Sequence, residues 1–515
     1  MLTFLKKLSE ENSNNKRIAK NTLLLYVRML FIMGVTLYTA RVVLDKLGEV
    51  DYGIYGAVGS AVAFLGFLNG TLSTGTSRFL TFELGKKDYD KLKTTFNTAF
   101  YAHLFLALGI ALVMETVGLW FLYNKMVIPE ERLFAAEIAF HLSVFATVVS
   151  ITQVPYTSVI IARENMSIYA YIGIFEALAK LLIVYLLHIS SFDRLILYAA
   201  LVAGVQLIVA LMFRFYCHRN YEESILSIGF DKPILDKLIK FSGWSLIANI
   251  AETLSLQGVV VLISMFFQPV VVAAQTIGNQ ISAAMMQFVN SFRTAINPQI
   301  IKLYAAKEYE ESKKLTLESS IYVFDLLLLL GLPTIVVMEP LLNLWFVEVP
   351  EYAVVFAQYI VARQIISNFS SAFYVPMMAS GELKWNSYAA AVISVFGFFV
   401  MYVLLKLGVT VMIVHYIGVM QSFLFSFVVK PYILCNKIDY RWNEIFKCFF
   451  TSFKVAVFPI AISILLSVYF EIDSKFDMIY VAGIIAVSVI LSAYINLDQE
   501  TREKLHGFIG RKFRK

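Results

Sequence analysis

Long apolar runs separated by short polar connections fill the chain from end to end, and that succession leaves it few ways to fold. About 20 apolar residues in a helix match the hydrocarbon thickness of a bilayer. About fourteen such runs can be read, near 21–43, 52–80, 95–122, 134–161, 167–188, 195–214, 241–266, 269–299, 317–346, 353–380, 386–405, 409–429, 449–470 and 478–496. Several exceed about 25 residues, which predicts tilt or extension beyond the bilayer. The weakest division lies between the seventh and eighth runs, where only "FFQP" marks a turn. With 59% hydrophobic and 16% charged residues, such a surface cannot be solvated by water. The chain reads as an all-α polytopic membrane protein with about fourteen transmembrane helices. The first run is longer than a signal-peptide core and lacks a small-residue cleavage site, so it reads as a retained helix. Residues 1–20 read as an amphipathic tail at the membrane surface.

Basic residues alternate strictly between the two sides of this map. About 31 fall on one side, including Lys86, Lys87, Arg214, Lys313, Lys430 and the basic tail 498–515; about six fall on the other, Lys46, Lys125, Arg132, Arg194, Lys406 and Lys475. The bias predicts that both termini face the cytoplasm. The connections are short and carry no folded domain. The basic residues are not gathered on one face, which argues against a nucleic-acid partner. Cys217, Cys435 and Cys448 form neither a metal spacing nor a disulfide framework. The six histidines are scattered, and no glycine-rich lysine loop for a nucleotide appears. No metal or cofactor is therefore expected, and the short outer loops argue against an enzyme such as a polymerase or ligase.

An internal repeat organises the spans. "KDYD" (Lys87 to Asp90) superposes on "KEYE" (Lys307 to Glu310), and "VPYTSVIIARE" (Val154 to Glu164) resembles "VPMMASGE" (Val375 to Glu382), both offset by about 220 residues. This gives a lobe at 21–220, a second at 221–440, and two extra helices at 441–497. An even number of spans per lobe gives both lobes one orientation, the plan of a parallel repeat, and predicts transport by alternating access. Pro155 and Pro376 occupy matching places and are hinge candidates. Gly66 and Gly70 form a pair that lets helices approach closely.

Ionisable residues inside the spans cost at least about 2.5–3.5 kcal/mol each at mid-membrane and so point to function. Arg28 lies roughly 10–12 Å into the first span, where a cavity role competes with snorkelling. Arg41 sits near the outer interface, where snorkelling is favoured. Glu176 and Lys180 are spaced to neutralise each other on one helix face. Four arginines, Arg28, Arg78, Arg293 and Arg363, then face two acids, Glu252 and Asp325. The guanidinium fork suits phosphate oxygens, so the arginines are candidate ligands for an anionic headgroup such as a pyrophosphate. Glu252 and Asp325 are candidates for coupling to H+ or Na+, or counter-ions to the arginines.

An early basic residue in the first span, then "R-x(6)-LG-x-x-DYGIY", a glycine-rich second span ending "TSRF", and "GKKDYDKLK" together resemble the polysaccharide-biosynthesis, or O-antigen flippase, family. That family sits in the superfamily of the multidrug and toxic-compound extruders (MATE) and the lipid II flippases. The resemblance covers the whole chain and implies a MATE-like fold of two six-helix lobes plus two C-terminal helices. It implies a flippase for undecaprenyl-pyrophosphate-linked oligosaccharide repeat units, working as a monomer across the bacterial inner membrane and serving polysaccharide polymerase and chain-length machinery. Arg28 and Arg78 fit its basic positions; Arg293 and Arg363 do not rest on its motifs. Position 298, the repeat partner of Arg78, is proline. The alternatives are a cation-coupled multidrug extruder and a lipid II flippase.

Overall fold

The computed structural model describes residues 2–189, 191–227, 230–472, 474–497 and 502, with the side chains of 2–27, 189, 240–245, 248 and 295 outside that description. The amphipathic reading of 1–20 rests on side chains outside that description, and the basic tail 498–515, Arg502 apart, lies outside the described residues. All regular structure among them is helical. The helices are α1 (Leu2–Phe64), α2 (Gly66–Lys86), α3 (Tyr89–Asn124), α4 (Leu133–Ala162), α5 (Met166–Ile189), α6 (Arg194–Asn220), α7 (232–266) and α8 (Pro269–Ala305). They continue with α9 (Tyr309–Val336), α10 (Met338–Trp345), α11 (Ala353–Phe369), α12 (Tyr374–Ser380), α13 (Leu383–Lys406), α14 (Met412–Lys437), α15 (Trp442–Tyr469) and α16 (Lys475–Asn496). Ten helices are long and apolar enough to cross a membrane, and the α1–α2 pair, bent by 51°, supplies an eleventh crossing among the described residues. The chain is a multi-pass membrane protein. The eighth and tenth runs also form helices, α8 and α11, but these carry polar side chains such as Gln275, Asn279, Gln364 and Asn368 that lower their hydropathy. A count of fourteen spans is compatible with these segments.

Local sequence explains the breaks. The helix break in α1 falls at Gly48, whose φ of 78° and ψ of 167° no helix accommodates. The "FFQP" turn stands, with Phe267 extended (φ −130°, ψ 158°) and Pro269 opening α8, where its missing N–H costs nothing. Lys87 (φ 59°) and Lys307 (φ 64°) both take the left-handed conformation, so the two copies of the repeated loop make the same turn before α3 and α9. Pro155 lies inside the unbroken α4, whereas Pro376 follows an open turn between Phe369 and Tyr374. The repeated prolines thus occupy unlike backbone.

By compactness the chain divides at 273/274, into unit 1 (1–273) and unit 2 (274–515); the boundary read from the repeat at 220/221 expresses duplication and is a separate property. In unit 1, Ile54, Val58, Ala107, Ala139 and Phe140 form one core, and Phe96, Tyr156, Ile172 and Phe213 another. The connections that the charge pattern assigns to the outside meet at one end. Arg132 bridges Asp51 (2.7 Å) and Asp193 (2.6 Å), Arg194 Nη1 donates to the Lys46 carbonyl (2.8 Å), and Val127 N–H donates to the Ser264 carbonyl (2.8 Å). At the other helix ends Arg163 forks onto Glu223, and Ser227 N–H donates to Asn97. In unit 2, Phe369, Phe373, Leu434 and Ile445 form one core and Leu328, Val455, Val481 and Ile485 another, so α15 and α16 are packed into it.

Candidate functional site

In unit 1, α2 places Thr74, Ser77, Arg78 and Thr81 on one face at helical spacing. With Ser73 and Phe82 they form one wall of a cleft of about 660 Å³, whose other wall is Thr157, Ser158 and Ile161 of α4. Hydrogen bonding divides the roles of these hydroxyls. Thr74, Thr81 and Thr157 donate back to the carbonyls of Gly70 (3.1 Å), Ser77 (2.7 Å) and Val154 (2.9 Å), so toward the cleft their oxygens offer lone pairs. Arg78, Ser73 and Ser77 supply donors. A wall of this composition can hold phosphoryl oxygens and hydroxyl-bearing sugar together.

Arg28 occupies a different place in unit 1. Its guanidinium lies 4.5 Å from the Tyr169 ring centre and against Gly173 of α5, where an added Cβ would stand 2.3 Å from Nε. The same face of α5 carries Glu176, which accepts from Lys180 (2.7 Å) and from Gln206 of α6 (3.2 Å). Glu252 is exposed on α7, two residues before the π-helical turn Leu254–Gly258 begins.

Unit 2 holds the remaining candidates. Arg363 of α11 packs on Gly418 of α14, which a Cβ would bring to 3.3 Å from Nη1, and acts electrostatically on the buried His415. The His415 ring lies tilted against Phe356, with centres 4.2 Å apart. Asp325 of α9 neighbours Cys448 of α15, with its Oδ1 buried and without a hydrogen bond. Arg293 of α8 acts on Tyr374 and on Lys430. Lys430 corrects the charge map, which placed it in a cytoplasmic connection: it is inside α14, 8% exposed, and its Nζ donates to the Ser370 carbonyl at 3.0 Å. The available signal was the "PYIL" that follows it, a further turn of largely apolar helix.

A family model described as MatE matches residues 25–186. No curated protein matches the chain. A solved lipid II flippase MurJ in an inward closed conformation gives a TM-score of 0.71 at 10% identity, covering 92% of this chain and 98% of that one. Its fold is shared. An outward-facing multidrug resistance MATE family transporter of the MOP superfamily gives 0.56 at 12% identity, covering 80% of this chain and 94% of that one. A MOP superfamily transporter from Pyrococcus furiosus, described as having a binding pocket of reversed polarity, gives 0.57 at 14% identity over the same shares. At these identities the likeness is one of fold, a MATE- and MurJ-like helical architecture, and it reaches further along this chain for MurJ than for the MATE structures.

Proposed function

We propose that this chain is a flippase for undecaprenyl-pyrophosphate-linked oligosaccharide repeat units, moving them by alternating access from the inner to the outer leaflet of a bacterial inner membrane. The observation that carries the reading is the Arg78 cleft. It combines one permanent cation with separate sets of hydroxyl donors and acceptors, which fits a head made of a pyrophosphate and a sugar. An organic cation would be repelled by the same wall. Arg28, Arg293 and Arg363 are further headgroup candidates. Coupling to H+ or Na+ is assigned to Asp325 or Glu252, and of these Asp325 has the buried, unsatisfied oxygen that cation or proton binding would relieve. In this reading both termini face the cytoplasm, the protein acts as a monomer, and its product passes to polysaccharide polymerase and chain-length machinery. A lipid II flippase is the second reading, favoured by the extent of the likeness to MurJ.

The test is leaflet-resolved transport in proteoliposomes carrying either a polyprenyl-pyrophosphate oligosaccharide or lipid II. Transport of the oligosaccharide is expected, and Arg78→Gln should reduce kcat/KM by about tenfold or more, as expected for loss of a charge-assisted contact. Lipid II transport alone selects the second reading. Transport of neither, or of both equally well by Arg78→Gln, defeats the headgroup assignment.

A further inference from the structure

The break between α11 and α12 leaves polar groups in the interior of unit 2 that the fold satisfies only in part. The helix stops at Phe369 and restarts at Tyr374, so carbonyls that would have bonded along the axis are released. Three side chains take them up: Ser426 donates to the Ser367 carbonyl (3.2 Å), Ser320 to the Phe369 carbonyl, and Lys430 to the Ser370 carbonyl (3.0 Å). The hydroxyls on the same turn have no partner. Ser370 Oγ and Ser371 Oγ are both buried without a hydrogen bond, in residues 0% and 6% exposed. Buried polar groups left in this way are rare in folded proteins, and each retains capacity to bind a ligand or a water.

The charge balance adds a second, independent observation. Lys430 has three donors and, among the described residues, one hydrogen-bond acceptor, the Ser370 carbonyl; its ammonium also lies 5.0 Å from the Phe425 ring. Among the described residues no carboxylate pairs with it, and the nearby Arg293 charge acts on it repulsively. A buried ammonium with unused donors, beside the half-buried Arg293 charge and hydroxyls with unused capacity, is an arrangement completed by an anion.

We propose that the Ser370–Phe373 turn, together with Lys430 and Arg293, is a binding site in unit 2 for a phosphoryl anion. The site requires only anionic oxygens and shares no residue with the Arg78 cleft. If Lys430 were merely a cap on a released carbonyl, its removal would change stability and leave anion affinity alone.

The test is binding of inorganic pyrophosphate to the full-length detergent-solubilised protein, in an Arg78→Gln background so that the cleft of unit 1 is out of play. Saturable binding is expected, weakened about tenfold or more by Lys430→Gln and about threefold by Ser371→Ala. Ser371→Ala removes a hydroxyl that bonds to nothing in the fold, so it decides the matter if Lys430→Gln does not fold. A second arm uses polyprenyl pyrophosphate in nanodiscs. Lys430- or Ser371-dependent binding of this lipid without binding of the free ion supports the site and makes its ligand a lipid headgroup. Binding that neither substitution weakens, or none with either probe, overturns the proposal. Because Arg78 is already absent, the result is independent of whether the Arg78 cleft holds a headgroup.

Discussion

The two compact units keep their charges in different company. In unit 1, guanidinium groups at the helix ends meet carboxylates: Arg132 holds Asp51 and Asp193, and Arg163 forks onto Glu223, which is 5% exposed. In unit 2, the described ion pairs join Lys313 and Lys314 to partners that include the largely exposed Glu310 and the fully exposed Asp439. Its interior cations lie instead on a carbonyl, as Lys430 does, or beside an imidazole, as Arg363 does. Charge at the helix ends of unit 1 therefore fastens connections, while Lys430 inside unit 2 retains unused donors. The difference separates arginines that hold the fold from cations available to a ligand, which residue type alone does not do.

Packing at helix ends and interiors offers the largest test of this contrast. At Gly53 an added Cβ would stand 1.8 Å from the Pro269 carbonyl oxygen, so backbone meets backbone and one of them has to move. At Gly278 in unit 2 the nearest atom, at 2.5 Å, is the Cδ1 end of Ile360, which can rotate away. Gly53→Ala should cost more than about 4 kcal/mol, enough to prevent recovery of folded protein, and Gly278→Ala about 1–2 kcal/mol. Thermal unfolding in detergent measures both. Equal losses would mean that unit 1 is no more rigidly fixed at this end than unit 2 is in its interior.

Next in size is the removal of one partner from each kind of ion pair. Arg163→Ala strands the buried Glu223 carboxylate and should destabilise by about 3–5 kcal/mol. Lys313→Ala, whose partners are solvated, should cost less than about 1 kcal/mol. The double variant Arg163→Met with Glu223→Leu should recover much of the first loss, because no charge is then left buried. A failure to recover would show that the pair also specifies the packing of the connections around it.

The sequence made the helices legible because a bilayer-length apolar run has few alternatives, and it made the turn at Phe267 legible because proline opens a helix readily. The repeated "KDYD" and "KEYE" loops likewise share one left-handed lysine turn. Site geometry was less accessible. A charge ends an apolar run on any hydropathy count, which places Lys430 just past the run at 409–429, yet a buried carbonyl holds it inside α14. Pro155 and Pro376 look alike in sequence, but only the second follows an open turn, and that turn depends on Ser320, Ser426 and Lys430 brought from other helices. Arg28 could be weighed only between cavity and surface. Its actual support, Gly173 and Tyr169, lies about 140 residues further on, where no local pattern connects them.

The smallest expected effect concerns the Arg132 clamp of unit 1 and its response to acid. Asp193 caps α6, accepting from the N–H groups of Leu195 (3.0 Å) and Ile196 (3.2 Å), and Arg132 donates to both its oxygens. The Arg132 hydrogen bond is the main cause that holds its carboxyl below the ordinary value of 3.8, partly offset by desolvation and helped by the two backbone donors. A depressed acid in the folded state means that the unfolded chain takes up the proton first as pH falls. Asp193's own contribution to the clamp is therefore complete above the unfolded value and is lost as pH falls through the folded value. Both side chains are about a quarter to a third exposed, so solvent screening limits the effect to about 0.5–1.5 kcal/mol. Asp193→Asn keeps an acceptor for the helix cap and removes the titrating charge. Its unfolding temperature should be lower than that of the parent at pH 6, and the gap should narrow as pH falls below about 4. Parallel curves across that range would mean that Arg132 is anchored by Asp51 alone, and that the second arm of the clamp adds geometry without stability.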